Sequence, residues 1–452
     1  MRVKFFDWRF IMTSPYRLIF WAAVVAITRS ILARQQPIYR HLPSAISRWI
    51  RSTPCRAAAS AWIGTRPAIF LVGYLAIFVI GYPPQAKMET LRIFDSELMN
   101  LPVRWDANWY VGIARTGYEY VPDAGPEAQQ NIVFFPAFPL VIRVVALLAG
   151  GGEAWYFMAG TLVSLAAFFG GLVYVYLLAR DELDDERARA AIWLLAAFPF
   201  AYFFGAIYTE SLFLLGAAGA FYHLKRREWV LAGLWGFVVG LTKPNGFLLS
   251  VPLAILLVSP WLPRRIVRAD DPTRARESQS PDASSLAAGL AAAAMPGIGM
   301  LLFSAFIWNL TGSPFAWAQG HAAWGRYYTG LSVLVTDRYH YIANAGFTGY
   351  VSQVPLDFLN AVGVVFVLST VWGVARRLGL AYAVFILLSL LPALAEGGGR
   401  LLSAGRLSAV LFPAFIWFAG AVPARHRPGW IASFAANQAL NASLFYTWRQ
   451  LF

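Results

Sequence analysis

Long apolar runs recur along the whole chain, and they constrain its fold more than any other feature. Ala154–Leu178 and Leu286–Ile307 each reach the length, about 20 residues, that a helix needs to cross a bilayer. Further runs lie at about residues 132–150, 190–206, 208–224, 229–258, 356–375, 379–395, 407–422 and 429–447. Charged residues are only 13% of the 452, against roughly 25% in an average globular domain. These features exclude a soluble enzyme and a disordered chain. They also exclude a β-barrel, whose strands would alternate apolar and polar residues. The expected fold is all-α, a polytopic membrane protein.

The net charge of +14 is unevenly spread. Residues 1–66 hold eleven Lys and Arg against one acid, Asp7. Ahead of a first long span at Ala68–Tyr82, this arm reads as a cytoplasmic flank drawn to anionic lipid, not as a nucleic-acid surface. Leu18–Ile27 is too short to span and lacks a cleavage site, so it reads as interfacial rather than as a signal peptide. A single cysteine, Cys55, rules out an intrachain disulfide and a cysteine-based metal site.

After Pro83-Pro84, the loop 85–131 carries four basic and seven acidic residues, a balance that places it outside the cytoplasm. Residues 259–285, with five arginines, read as a flexible cytoplasmic linker. The loop 311–355, rich in Trp, Tyr and Gly, reads as a second external loop near the interface. Residues 67–452 then form one transmembrane domain.

Counting every run as one crossing leaves some basic clusters on the wrong side. Two segments resolve the conflict. Phe134–Val145, with Pro136, Pro139 and Arg143, reads as a segment that dips in without crossing. The run 229–258 is interrupted by Lys243-Pro244-Asn245-Gly246 and reads as two half-helices meeting at the external side.

Ionisable residues in or beside membrane spans are functional candidates, because burying a charge in lipid is expensive. Four groups qualify. Asp106 lies among aromatics in Arg104-Trp105-Asp106-Ala107-Asn108-Trp109-Tyr110, as a solvated acid in an interfacial belt or as a general base meeting a sugar. Glu210, in Tyr208-Thr209-Glu210-Ser211, sits between two apolar runs, where an N-cap explains the residue types but not the depth of the acid. Lys243, beside Asn245 at the helix break, either snorkels to the interface or meets a phosphate. The last group joins Gln319, Trp324 and Arg326 with Arg400 and Arg406, which flank the glycines 397–399. These arginines either anchor helix ends or supply fixed guanidinium partners for a lipid phosphate. No P-loop, GxGxxG, HExxH or GxSxG occurs, and the five histidines show no ligand spacing, so neither a metal site nor a cofactor is expected.

At these residues the chain resembles the PIG-V family of membrane mannosyltransferases, related to GPI mannosyltransferase II. The likeness rests on Arg104–Tyr110 followed by Ile113–Tyr118, and on Phe134-Phe135-Pro136-Ala137-Phe138-Pro139. It continues through Phe198–Ala201 into Tyr208–Ser211, the Lys243–Gly246 break, and Gly312–Phe315 leading to Gln319 and Trp324–Arg326. The matches run in the family's order from about residue 100 to 415. One departure is that the family's late arginine precedes an aromatic residue, whereas Arg406 precedes Leu407. The Arg/Ala-rich style suggests a bacterial member.

The resemblance implies a GT-C fold with about 10–12 transmembrane or re-entrant helices. It implies an inverting transfer of mannose from a polyprenyl-phosphate-mannose donor to a lipid-linked or protein acceptor on the external face of the plasma membrane. By analogy Asp106 is the catalytic base and Glu210 a second acid orienting the acceptor or the base. Arg104, Trp105, Asn108, Tyr208, Lys243, Asn245, Gln319, Trp324, Arg326, Arg400 and Arg406 are the expected substrate-binding residues. A secondary transporter or lipid flippase is the rival class, because broken helices and midplane charges occur there too. The missing internal repeats weigh against it.

Overall fold

A computed structural model describes residues 4–5, 8–9, 52–84, 92–125, 128–259, 283–397, 401 and 403–449. The run Leu18–Ile27, most of the basic arm, the linker arginines and Arg400 lie outside these residues. The described part is helical: α1 (Thr53–Val79), α2 (Ala107–Thr116), α3 (Ala137–Leu148), α4 (Glu153–Arg180) and α5 (Asp185–Ala197) come first. Next are α6 (Glu210–Lys225), α7 (Trp229–Gly240), α8 (Ser250–Val258) and α9 (Ala283–Thr311). The chain continues with α10 (His340–Gln353), α11 (Pro355–Arg377), α12 (Leu380–Leu394), α13 (Phe412–Ala421) and α14 (Arg427–Tyr446). Of these, α1, α4, α9 and α11 are long and apolar enough to cross a membrane. The protein is an integral membrane protein.

The first helix differs from the sequence expectation. It starts at Thr53, not Ala68, and takes Arg66 inside the bundle at 1% exposure. The Arg66 guanidinium donates to the carbonyl of Ala196 (2.8 Å), at the end of α5 where helical partners run out, and to that of Ala201 (2.6 Å) in the turn that follows. A charge that looked like the edge of a polar arm is therefore a cap buried between helices.

The interrupted run 229–258 does break. α7 ends at Gly240, Thr242 Oγ1 donates back to the Val238 carbonyl (2.6 Å), and a turn closed by Gly246 N–H to the Lys243 carbonyl (2.9 Å) leads into α8. Pro244 has no N–H to continue a helical ladder. Gly246 is required by close approach: a Cβ there would run into the Val239 carbonyl, and one on Gly240 into the Pro296 carbonyl of α9. Non-helical backbone at this depth is tolerated because protein surrounds it. Gly246→Ala should therefore push the break apart, costing about 1–3 kcal/mol by overpacking and displacing Lys243. A melting temperature equal to that of the wild type would show that the turn has room to give.

The other suspect segment becomes α3, whose 12 residues measure about 18 Å, short of the roughly 30 Å hydrocarbon core.

Ion pairs tie the helix ends together on one side. Asp181 after α4 meets Lys225 (2.9 Å) and Arg226 (3.1 Å) at the end of α6, and Glu186 of α5 meets Arg427 of α14 (2.8 Å). The N-terminus of α6, the end of α7 and the segment leading into α2 meet at the opposite end of the bundle. There a two-residue antiparallel pairing of Tyr327–Tyr328 with Glu396–Gly397 fastens the loop 311–355 to the end of α12. Backbone N–H groups of Thr329 and Gly330 reinforce it by donating to the Ala395 carbonyl (3.0 and 3.1 Å).

Candidate active site

A cavity open to the surroundings lies at this second end, with polar and aromatic side chains converging on it. Its wall includes Asp106 from the segment before α2, and Lys243 and Asn245 from the break. His321, Trp324 and Arg326 come from the loop 311–355, Glu396 follows α12, and Arg406 sits on the short helix Ala404–Ala409.

Asp106 is placed by a strained backbone. Trp105 before it has φ +54°, a left-handed conformation that a bulky residue seldom takes. Neighbours on both sides hold it there. The Asp106 N–H donates to Tyr208 Oη (3.1 Å), and the Trp105 ring packs on Trp448 at 5.3 Å. Arg104, 2% exposed, donates to the carbonyls of Tyr446 (3.0 Å) and Val103 (3.1 Å) and to Tyr82 Oη (3.3 Å). Burial raises the Asp106 carboxyl above the usual carboxylate range, against the opposite pull of the Arg406 and Arg326 guanidiniums.

Behind the wall, Glu210 is completely buried at the start of α6. Its Oε1 accepts from Lys243 Nζ (2.6 Å) and lies 3.2 Å from Arg406 Nε. Arg406 reaches in two further directions. Its Nη1 is 3.6 Å from Asp106 Oδ2, and its Nη2 donates to Ser403 Oγ (3.2 Å). Arg326 Nη2 donates to the same hydroxyl (2.9 Å), while its Nε stands 3.8 Å from Glu396 Oε1. Ser403 thus brackets two guanidiniums that would otherwise repel, and it does so at φ +63°. α11 holds this turn in place: Asp357 accepts from the Leu401 N–H, and Asn360 Oδ1 accepts from the Gly405 N–H (2.8 Å).

Three cations and three carboxylates therefore interlock around the cavity. Such a site favours an anion only where the anion can take over a carboxylate's place at a guanidinium.

Of the residues expected from sequence, Asp106, Lys243, Asn245, Trp324, Arg326 and Arg406 line the cavity. Glu210 and Tyr208 stand one layer behind it and position residues that do. Arg104 and Trp105 do not line the cavity: carbonyls accept from the Arg104 guanidinium, and the Trp105 ring packs on Trp448. Asn108 and Gln319 are exposed and do not line the cavity, and Arg400 lies outside the described residues. Sequence reasoning missed Glu396, His321 and Ser403. Glu396 had a usable signal, an acid closing an apolar run just as Glu210 opens one.

The comparisons bear on the first half of this constellation. Residues 84–260 match the family described as Mannosyltransferase (PIG-V). Two proteins named GPI mannosyltransferase 2, from two strains of Cryptococcus neoformans var. neoformans serotype D, are each 27% identical over 192 residues. That covers 38% of this chain and 41% of each relative, so the chain spans less than half the length of the curated relatives it matches. No solved structure gives a match. The resemblance to the PIG-V mannosyltransferases read from the motifs therefore holds over residues 84–260, the stretch that carries Asp106, Glu210 and Lys243.

Proposed function

We propose that this protein is an inverting glycosyltransferase that moves mannose from polyprenyl-phosphate-mannose to a lipid-linked or protein acceptor at the outer face of a bacterial plasma membrane. The observation that carries the reading is the meeting, in one cavity, of Asp106 with the Arg326–Ser403–Arg406 bracket.

Asp106 takes the proton from the acceptor hydroxyl as that oxygen forms its bond to the anomeric carbon. The bond from that carbon to the phosphate oxygen breaks, and its electron pair leaves with the phosphate. Positive charge develops on the sugar ring as in glycoside hydrolysis. Arg326, Arg406 and Lys243 meet the negative charge that gathers on the leaving phosphate. Glu210 touches neither substrate. It is a positioning residue that holds Lys243 and Arg406 at a fixed separation. The donor phosphate competes with Asp106 for Arg406 Nη1, so donor binding loosens the ion pair that restrains the base. One base and one displacement invert the anomeric centre.

The outward orientation is supported by the basic residues at the far ends of the helices, Lys225, Arg226 and Arg427 among them, which belong on the cytoplasmic side.

The test is transfer of label from polyprenyl-phosphate mannose into acceptors of the source membrane, by purified protein in nanodiscs, with the product's anomeric configuration determined. Labelled product of opposite configuration is expected. Retained configuration, or lipid movement across a bilayer without sugar transfer, would overturn the reading.

A further inference from the structure

His321 and Glu396 are among the polar groups of the cavity wall that base and phosphate chemistry leave unexplained. Glu396 is 2% exposed, and its backbone is locked by the pairing with Tyr328. The Arg326 guanidinium stands between its carboxylate and Ser403, at 3.8 Å on one side and 2.9 Å on the other. A group attached directly to a phosphate held at Arg326 would therefore lie within reach of Glu396.

His321 sits one residue into the turn Gly320–Trp324 on the same wall. Its Nε2 is buried and has no hydrogen-bond partner among the described residues, a cost that a ligand hydroxyl would remove. Burial first, and Arg326 second, pull its pKa down to about 4, so the ring is neutral near pH 7. A neutral imidazole offers one donor and one acceptor, which suits a hydroxyl rather than a phosphate. Trp324, which closes the turn, packs edge-on against Trp109 at 5.7 Å and adds an aromatic wall. A carboxylate, a neutral imidazole and an aromatic ring together are chemistry for a hydroxylated, uncharged ring.

We propose that His321 and Glu396 form the hexose subsite of the donor. They hydrogen-bond hydroxyls of the sugar carried by the phosphate at Arg326 and Arg406, and so decide which polyprenyl-phosphate sugar is accepted. The proposal rests on the reading of the cavity as a lipid-phosphate sugar site.

The experiment compares binding of polyprenyl-phosphate mannose and of sugar-free polyprenyl phosphate to the full-length protein in nanodiscs. Wild type should bind the sugar-bearing probe more tightly. His321→Phe should cut that preference by about 3- to 10-fold with sugar-free binding unchanged, and Glu396→Gln by about 10- to 100-fold with sugar-free binding level or tighter, because Arg326 loses a competing carboxylate. His321→Gln should restore part of the preference. An equal loss for both probes would mean a structural or phosphate-binding role and overturn the subsite. So would unchanged probe binding with a raised acceptor KM, which would move these residues to the acceptor. Wild type that binds both probes equally removes the subsite alone, whereas wild type that binds neither removes the reading of the cavity as well.

Discussion

Asp106→Asn is expected to lower sugar transfer by about a hundred- to ten-thousand-fold while the protein keeps its melting temperature, as loss of a general base should. Asparagine matches the shape, and the N–H to Tyr208 that places the residue belongs to the backbone. Arg406 keeps Glu210 at 3.2 Å, so losing the Asp106 charge leaves no cation stranded in the bundle. Arg406, relieved of a carboxylate at 3.6 Å, should hold the donor phosphate at least as well, so the donor KM should stay level or fall. A base acts only when deprotonated. Because burial raises the carboxyl above the ordinary range, wild-type kcat should fall with decreasing pH earlier than an exposed aspartate would dictate. The residual rate of the variant should lose this acid limb. Near-normal turnover in Asp106→Asn, or a defect confined to donor KM, would take the base role away from Asp106.

The fold was largely legible because hydrophobicity is local and large. The apolar run 154–179 became a helix over Glu153–Arg180, and the break at Lys243–Gly246 interrupts the backbone as its proline requires. The start of α1 was not legible, because a cation beside a proline looks like the end of a span. Only the fold reveals that Arg66 meets carbonyls some 130 residues away. The same physics sorts the site. Charges set in apolar sequence are costly, and that rule pointed to Asp106, Glu210, Lys243, Arg326 and Arg406. It also pointed to Arg104, whose burial is real but whose donors are consumed by the Tyr446 carbonyl, 342 residues on. The rule detects a buried charge and says nothing of whether its partner is backbone or substrate. Ser403 could not be read at all, since a serine becomes a bracket only once a left-handed turn brings two arginines to it.

Glu210→Ala should be the most destabilising single change in the site, by about 3–5 kcal/mol, because it strands two buried cations. Lys243 is 8% exposed and Arg406 12%, and both point at one carboxylate oxygen. Without it they repel each other in a setting with little water to screen them. Glu210→Gln keeps a hydrogen-bond acceptor but not the charge, so it should cost less. Adding Lys243→Met to Glu210→Ala removes one of the stranded charges. The double variant should therefore melt above the single one while remaining inactive, a non-additivity expected of groups in one network. If Glu210→Ala melts like wild type and loses only turnover, the two cations do not depend on it for burial. Glu210 would then have to act on the substrate after all. The order of melting temperatures therefore separates the two roles, for a positioning acid must show itself in stability before it shows itself in rate.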